Sequence, residues 1–558
     1  MFPYRLLLAL FLIILPFGET RAQPPEAMVA AANPLAVEAG VEMLQAGGSA
    51  VDAAIAVQLV LGLVEPQSSG IGGGAFLLHY QASDGLIQAY DGRETAPLAA
   101  DDNLFLDEEG QPLDFWDAVV GGRSVGTPGL FRLLELAHQQ HGKLPWPQLF
   151  EPAITLAEEG FEISPRLAGL IAEDRFLDRY PETRAYFLLP DGQPKAEGTL
   201  LQNPAYAETL RRVAEGGADA FYRGPIAEDI VAAVQGATDN PGLLALEDLE
   251  AYEAKERKAL CGRYRSYQVC GMPPPTSGGV AVLQILGMLE NFDLPALEAG
   301  SAQAVHLVAE ASRLAFADRN AYLADSDFVQ VPVQRLIEPT YLRQRAALIR
   351  EDKVMPDATA GDLPQKGGIG TEIDTPSTSH LVIVDQAGNA VSMTTSIESA
   401  FGSRLMVRGF LLNNELTDFS FVPETDNGVV ANRVEAGKRP RSSMAPTLVF
   451  DEAGRFHTAV GSPGGARIIG YTVNALLALL DWGFDPEAAV SLPHVANLNG
   501  PTLLEEDTRL ADLAPALEAL GHEVEVREMT SGLHAIQMGP QGLRGGADPR
   551  REGSVGTP

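Results

Sequence analysis

The stretch "DTPSTSHLVIVDQAGNAVSM", Asp374 to Met393, joins a polar, proline-bearing loop directly to a run of alternating apolar residues, with no capping or turn residues between. "SHLVIVD", "QAGN" and "AVSMTTSI" predict strand, turn and strand, with Gly388 and Asn389 supplying the turn. The segment before this hairpin, Pro356 to Pro376, is rich in Gly, Pro, Thr and Asp, poor in large apolar residues, and is the one stretch that reads as a linker. Structureless segments of that length are uncommon inside a folded protein and are usually functional or disordered. Thr378, Ser379 and His380 therefore stand at the mouth of a strand, just after a segment that looks built to be reached or cut.

The rest of the chain predicts a mixture of helices and strands. Its 558 residues are 46% hydrophobic, ample for a large core, and length alone suggests three or four domains of about 150 residues. Pro34 to Val64 is helical in pattern, broken at Gly47-Gly48, and the chain from Leu130 to about Leu260 is mostly helical. Ser301 to Ala324 predicts an amphipathic helix. Gly70, Gly72, Gly73 and Gly74 suggest a nucleotide loop, but no Lys-Ser/Thr follows and "AFLLHY" reads as a strand, so these glycines instead serve a tight turn or a close backbone approach. "GSPGGARIIGYTVNALLALL" is a glycine-rich turn opening a helix, where backbone N–H groups point outward and attract negative charge.

Residues 1–22 have the form of a secretory signal peptide: Arg5, an apolar stretch from Leu6 to Phe17, and a small-residue exit at Ala22. The stretch is shorter than the ~20 residues a membrane span needs; the alternative is an anchor left uncleaved. The expected mature protein starts near Gln23, lies outside the cytoplasm, in the periplasm by our reading, and carries no stable membrane span. A net charge of -34 argues against nucleic acid and anionic membranes as partners. Cys261 and Cys270 flank a predicted hairpin centred on Arg265-Ser266 and either form a disulfide or serve as two small buried hydrophobes. Two cysteines do not make a metal site and the nine histidines show no metal-ligand spacing, His138 and His141 standing alone on a helix surface. No metal or cofactor is expected.

A threonine hydroxyl is a poor nucleophile near neutral pH unless a base stands beside it. A threonine that begins a chain carries its own, an α-amino group with a pKa of roughly 7.7–8.0. If the linker is a cleavage site, Thr378 becomes such a terminus. As composition, "PSTS" is also an ordinary loop.

"TSHLVIVDQAGNAVSMTT", "FGSRLMVRGFLLNNELTDFS", "GKRPRSSMAPT" and "GSPGGARI" resemble the gamma-glutamyltranspeptidase (glutathione hydrolase) family. So do "GGSAVDAAIA", "VEPQSSGIGGGAFLL", "GRETAP", "GTPGL", "PPPTSGG", "ADRNAYLADSDF" and the terminal "ADPRREG", in order along nearly the whole mature chain. The resemblance implies an α+β fold, a four-layer αββα sandwich of the N-terminal nucleophile hydrolase type, self-cleaved between Ser377 and Thr378. The products would be a large subunit, 23–377, and a small catalytic subunit, 378–558, intertwined in one domain as a heterodimer. It also implies that Thr378 attacks γ-glutamyl compounds such as glutathione and passes the acyl group to water or to an amino acid or peptide amine. Gly464 and Gly465 would stabilise the oxyanion, and Ser396, where the family commonly has threonine, would hydrogen-bond the nucleophile. Arg93, with Ser442 and Ser443, would hold the substrate α-carboxylate, and Glu398, Glu415 and Asp418 its ammonium.

The chain departs from the family pattern in two further places. Glu398 stands where well-known members have asparagine, which makes the pocket more acidic and lets its carboxylates raise one another's pKa. The loop from Phe421 to Gly437 is short, with no aromatic after Phe421 to close over a substrate, which predicts a more open site. Two other readings remain: a glutaryl- or cephalosporin-type acylase of the same architecture, which needs no ammonium site, and a catalytically silent secreted binding protein.

Overall fold

In the computed structural model, which describes residues 26–370 and 377–558, the predicted hairpin pairs Ser379–Val384 with Ala390–Ser396, Val384 opposite Ala390. Its turn is organised by Asp385, whose Oδ1 accepts from the backbone of Ala387 and Asn389 at 2.9 and 3.0 Å, with Gly388 at φ +82°. The predicted signal segment, 1–22, and the last part of the linker lie outside the described residues.

Numbered along the chain, the strands of the two large sheets are β1 (Met28–Ala31), β2 (Gly74–Gln81), β3 (Leu86–Gly92), β4 (Lys255–Lys258), β5 (Leu260–Tyr264), β6 (Tyr267–Gly271), β7 (Ser379–Val384), β8 (Ala390–Ser396), β9 (Thr447–Phe450), β10 (Phe456–Gly461), β11 (His534–Gly539), β12 (Gly542–Ala547) and β13 (Ser554–Gly556). One sheet runs β13-β1-β7-β8-β2-β3-β4 and the other β12-β11-β10-β9-β6-β5. Every pairing in both is antiparallel. Each sheet mixes strands from before and after Ser377, so a cut at that point leaves two interlocked chains.

The side-chain period of two explains how the sheets stack. Val29, Ala31, Leu381, Ile383, Val391 and Met393 pack with helices α1 (Pro34–Gln45) and α2 (Ala50–Val64). Their neighbours Met28, Ala30, Val382 and Val384 face Leu448, Val460 and Ile536 of the second sheet. The hairpin is therefore buried on both faces, each large apolar side chain contributing about 1.5–3 kcal/mol. Helix α3 (Leu130–His141) packs on the outer side of the first sheet at β3. Helix α4 (Gly278–Leu289) covers the second, α5 (Ala302–Tyr322) lies against α4, and α6 (Ile468–Leu480) completes that outer layer. The order helix, sheet, sheet, helix is the αββα sandwich the resemblance implied.

Three expectations need correction. Helix α5 forms where expected, capped by Ser301, but it is buried on nearly every side rather than amphipathic. Its polar residues look outward-facing in sequence because their partners are distant: Asp318 accepts from Gln284 and Tyr341 at 2.9 and 2.8 Å. The first part of the linker is not free chain. Gly361 N–H donates to Asp318 at 2.8 Å, Leu363 N–H to the Tyr322 hydroxyl at 3.0 Å and Gly367 N–H to the Ala321 carbonyl at 3.0 Å, so it is laid along the end of α5. His138 and His141 do not stand alone either: His138 meets the Leu144 carbonyl at 2.9 Å, and His141 stacks on His79 and contacts the Tyr90 hydroxyl at 2.7 Å.

Candidate active site

Antiparallel register brings the predicted residues to one end of the first sheet. Thr395 lies opposite Ser379, Ser396 opposite Gly74, and Ala75 opposite Gly92. The start of β7, the end of β8, the start of β2 and the end of β3 therefore share an edge, and Thr378, Ser396, Arg93 and Glu94 sit on it or within two residues of it. A glycine is required in the middle of this edge: a Cβ on Gly73 would stand 2.0 Å from the Ser396 carbonyl oxygen.

Thr378 is buried, and its hydroxyl meets the Ser396 hydroxyl at 3.0 Å. Its φ of +79° is a conformation that costs a β-branched residue about 1–3 kcal/mol, so the chain is strained at the residue carrying the predicted nucleophile. The preceding carbonyl, of Ser377, accepts from the Gly464 N–H at 3.1 Å, while the Ser377 hydroxyl donates to the Gln67 carbonyl at 3.0 Å. Gly464 follows β10 and adopts φ +130°, with Gly465 at +61°. Of the two glycines, Gly464 is the one whose N–H meets this oxygen in the uncleaved chain.

The Ser396 hydroxyl also accepts from the Glu398 N–H at 2.9 Å, fixing the turn in which Glu398 takes φ +75°. The Glu398 carboxylate accepts from Asn414 Nδ2. Asn414 in turn accepts from Ser399 N–H and Oγ at 3.0 and 2.9 Å, and Asn413 donates to the carbonyls of Gly72 and Gly126 at 2.8 and 2.9 Å. These two asparagines pin the short turn Glu415–Asp418 to the sheet edge. From that turn Glu415 and Asp418 both pair with Arg93, which is fully buried and also donates to the Pro440 carbonyl at 3.1 Å. Arg93, expected to hold a carboxylate, and Glu415 and Asp418, expected to hold an ammonium, thus form one ion-paired cluster, with Glu398, Ser442 and Ser443 outside its ion pairs.

Burial pushes Glu415 up to about 7, against the pull of Arg93. For Arg93, burial acts downward but Glu415 and Asp418 outweigh it, and the guanidinium is held above its usual range. Ser442 and Ser443 line the same region without bonding Arg93 themselves. The Ser442 hydroxyl accepts from the Met444 N–H at 3.1 Å, and the Ser443 hydroxyl accepts from Arg319 at 2.7 Å.

Sequence reasoning left several residues here unassigned. Glu94 is fully buried 3.9 Å from Arg93, and neither of its oxygens has a hydrogen-bond partner among the described residues. Burial and then the Glu415 charge hold it well above the usual carboxylate range, against the pull of Arg93. Gln67, Arg319, Asn413, Asn414 and Arg551 were also unassigned, although each lies in a quoted motif or the helix preceding one. Phe421, read as the last aromatic available to a lid, stacks on Phe105 at 4.5 Å in a small apolar cluster, and the loop beyond it forms a hairpin of Glu424–Thr425 with Gly428–Val429. Cys261 and Cys270 face each other across β5 and β6 and are joined by a disulfide, at the far edge of the second sheet. Among the described residues no group of His, Cys, Asp and Glu is placed to hold a metal ion, and no helix is long and apolar enough to cross a membrane.

Residues 36–557 match the family model described as Gamma-glutamyltranspeptidase. The glutathione hydrolase proenzyme of Bacillus subtilis (strain 168) is 37% identical over 546 residues, 95% of this chain and 91% of that one. The Acylase ACY 1 proenzyme of Pseudomonas sp. (strain SE83) is 38% identical over 541 residues, 94% of this chain and 92% of its own. Among solved structures, the cephalosporin acylase from Bacillus halodurans superposes with a TM-score of 0.82 at 26% identity, covering 98% of this chain and 99% of that one.

Proposed function

The chain belongs to the gamma-glutamyltranspeptidase family, and we propose that it cuts itself between Ser377 and Thr378 and then acts as a gamma-glutamyltransferase and glutathione hydrolase. It is an enzyme of the N-terminal nucleophile hydrolase fold. The observation that carries the cleavage is the junction itself: a hydroxyl held by Ser396 on one side of a peptide bond, and on the other a carbonyl already capped by the Gly464 N–H. Attack of Thr378 Oγ1 on the Ser377 carbonyl carbon relieves the left-handed strain and leaves an ester that water hydrolyses. The freed α-amine, with a pKa near 7.7–8.0, is then the base that activates the same hydroxyl.

In turnover, a γ-glutamyl group brings one carboxylate and one ammonium to the cluster. The carboxylate takes the Arg93 guanidinium and the ammonium takes Glu415 and Asp418, so one internal set of ion pairs is exchanged for two with substrate and no buried charge is left alone. Glu398, fixed next to Ser396, adds a third acceptor. The acyl group passes to Thr378, the amine leaves, and water or an amine acceptor completes the cycle, with Gly464 and Gly465 on the oxyanion. Residues 1–22 serve as a secretory leader, and the Cys261–Cys270 disulfide supports an oxidising compartment such as the periplasm. The products are subunits 23–377 and 378–558.

The likeness to acylases favours a second reading, hydrolysis of glutaryl-type amides without an ammonium. It uses Arg93 but not Asp418. Turnover of a γ-glutamyl anilide and of the matching glutaryl anilide, by the parent and by Asp418→Ala, separates the two. The proposed activity predicts preference for the γ-glutamyl compound and its loss in the variant; a variant with unchanged activity favours the acylase.

A further inference from the structure

Both carbonyls flanking the predicted cut are held by one side chain that the sequence did not mark out. Arg551, in "ADPRREG", is buried and donates through Nη1 to the Thr378 carbonyl at 2.8 Å. Through Nη2 it reaches the carbonyls of Ser377 and Thr530, each at 3.4 Å, while its Nε has no partner among the described residues. Among the described residues no carboxylate forms an ion pair with it: Glu65 is taken by Arg166 at 2.8 Å and Asp548 by Arg550 at 3.0 Å. A buried cation whose hydrogen bonds all go to carbonyls is costly, and burial, with Arg166 nearby, pushes this guanidinium down to about 9 against the upward pull of the more distant Glu65 and Asp548, still charged near neutrality.

We infer that Arg551 is a catalytic residue of self-cleavage, its Nη2 and the Gly464 N–H together forming the oxyanion hole for the Ser377 carbonyl while Nη1 anchors the carbonyl of Thr378. This rests on cleavage occurring at that bond. When Thr378 Oγ1 bonds to the Ser377 carbonyl carbon, the carbonyl oxygen becomes an anion beside a desolvated cation. The cation gains a directly bonded counter-charge at that moment, beyond the field of Glu65 and Asp548, so the interaction is stronger in the transition state than before it. The carbon–nitrogen bond then breaks, the hydroxyl proton ends on the departing nitrogen, and the Thr378 amine is free with its carbonyl still tethered. Water hydrolyses the Ser377 ester, and the Ser377 carboxylate leaves the hole to the substrate.

The test follows the conversion of purified uncut precursor into two chains on a denaturing gel, for the parent and for Arg551→Met and Arg551→Ala. Cleavage should slow by about 10²- to 10³-fold, the usual effect of removing one oxyanion donor. Added guanidinium should restore part of the rate to Arg551→Ala, and sodium chloride at equal ionic strength should not. Paired with Thr378→Ala, which prevents cutting, Arg551→Met should melt within a few degrees of Thr378→Ala alone. Cleavage of Arg551→Met at close to the parent rate overturns the inference, and so does slow cleavage that guanidinium does not rescue. A parent chain that never cuts overturns instead the reading on which the inference rests.

Discussion

Gly464→Ala places a single methyl group where three features of the structure oppose it. The residue sits at φ +130°, outside the region open to an L side chain, which costs about 1–3 kcal/mol. The new Cβ would stand 2.7 Å from Tyr471 Cε2, so the turn has to shift, and the Gly464 N–H, now 3.1 Å from the Ser377 oxygen, shifts with it. Loss of one oxyanion donor is worth about 2.7–4 kcal/mol, or 10²- to 10³-fold in rate. Purified precursor held at constant temperature and sampled into denaturant should show that slowing on a gel, together with a loss of about 1–3 kcal/mol in a urea titration. Gly454→Ala is the control: it has φ +75° but an open surround with no atom within 4 Å, so it carries the backbone cost alone and should cut at the parent rate. Gly464→Ala cutting as fast as Gly454→Ala would refute the assignment of this N–H to the reaction.

Ser396→Ala removes a neutral hydrogen bond to the nucleophile, worth about 0.5–1.5 kcal/mol, and should lower kcat about 2- to 12-fold, with Ser396→Thr near the parent; an unchanged Ala variant separates Ser396 from the chemistry. Burial raises Glu415 to about 7 despite Arg93, so it is protonated below that value and loses the charge that holds an ammonium. KM for a γ-glutamyl donor should therefore fall as the pH rises from about 6 to about 8, and Glu415→Gln should abolish that trend; a parent KM flat over the range contradicts its role. Replacing Cys261 and Cys270 by serine opens a loop of sequence separation 9, which should cost about 2–3 kcal/mol in urea unfolding while leaving turnover unchanged. A matching fall in turnover would tie that hairpin to the site.

The hairpin carrying Thr378 was legible because it is a local object: apolar residues on both sides of a short turn whose Gly and Asn suit a chain reversal. The extent of helix α5, the Gly47-Gly48 break and the Cys261–Cys270 facing pair were legible for the same reason. The pairing of Arg93 with Glu415 and Asp418 was not, since they lie 322 and 325 residues away and a charge in a sequence does not announce its partner. The motifs placed these residues in one pocket, but not that they bind one another. Helix α5 misled for a related reason, because Asp318 and its neighbours look like a solvated face until Gln284, Tyr341 and the linker backbone are seen to meet them. Arg550 and Arg551 are the sharpest case. Two adjacent arginines read alike, yet one is held by Glu505 and Asp548 and the other points at the junction.

Intact mass and terminal sequencing of the purified, active protein test the whole account most directly. Two chains, the smaller beginning at Thr378, are predicted, with a single inactive chain for Thr378→Ala. A preparation that turns over γ-glutamyl substrate while Ser377 and Thr378 remain joined would contradict it.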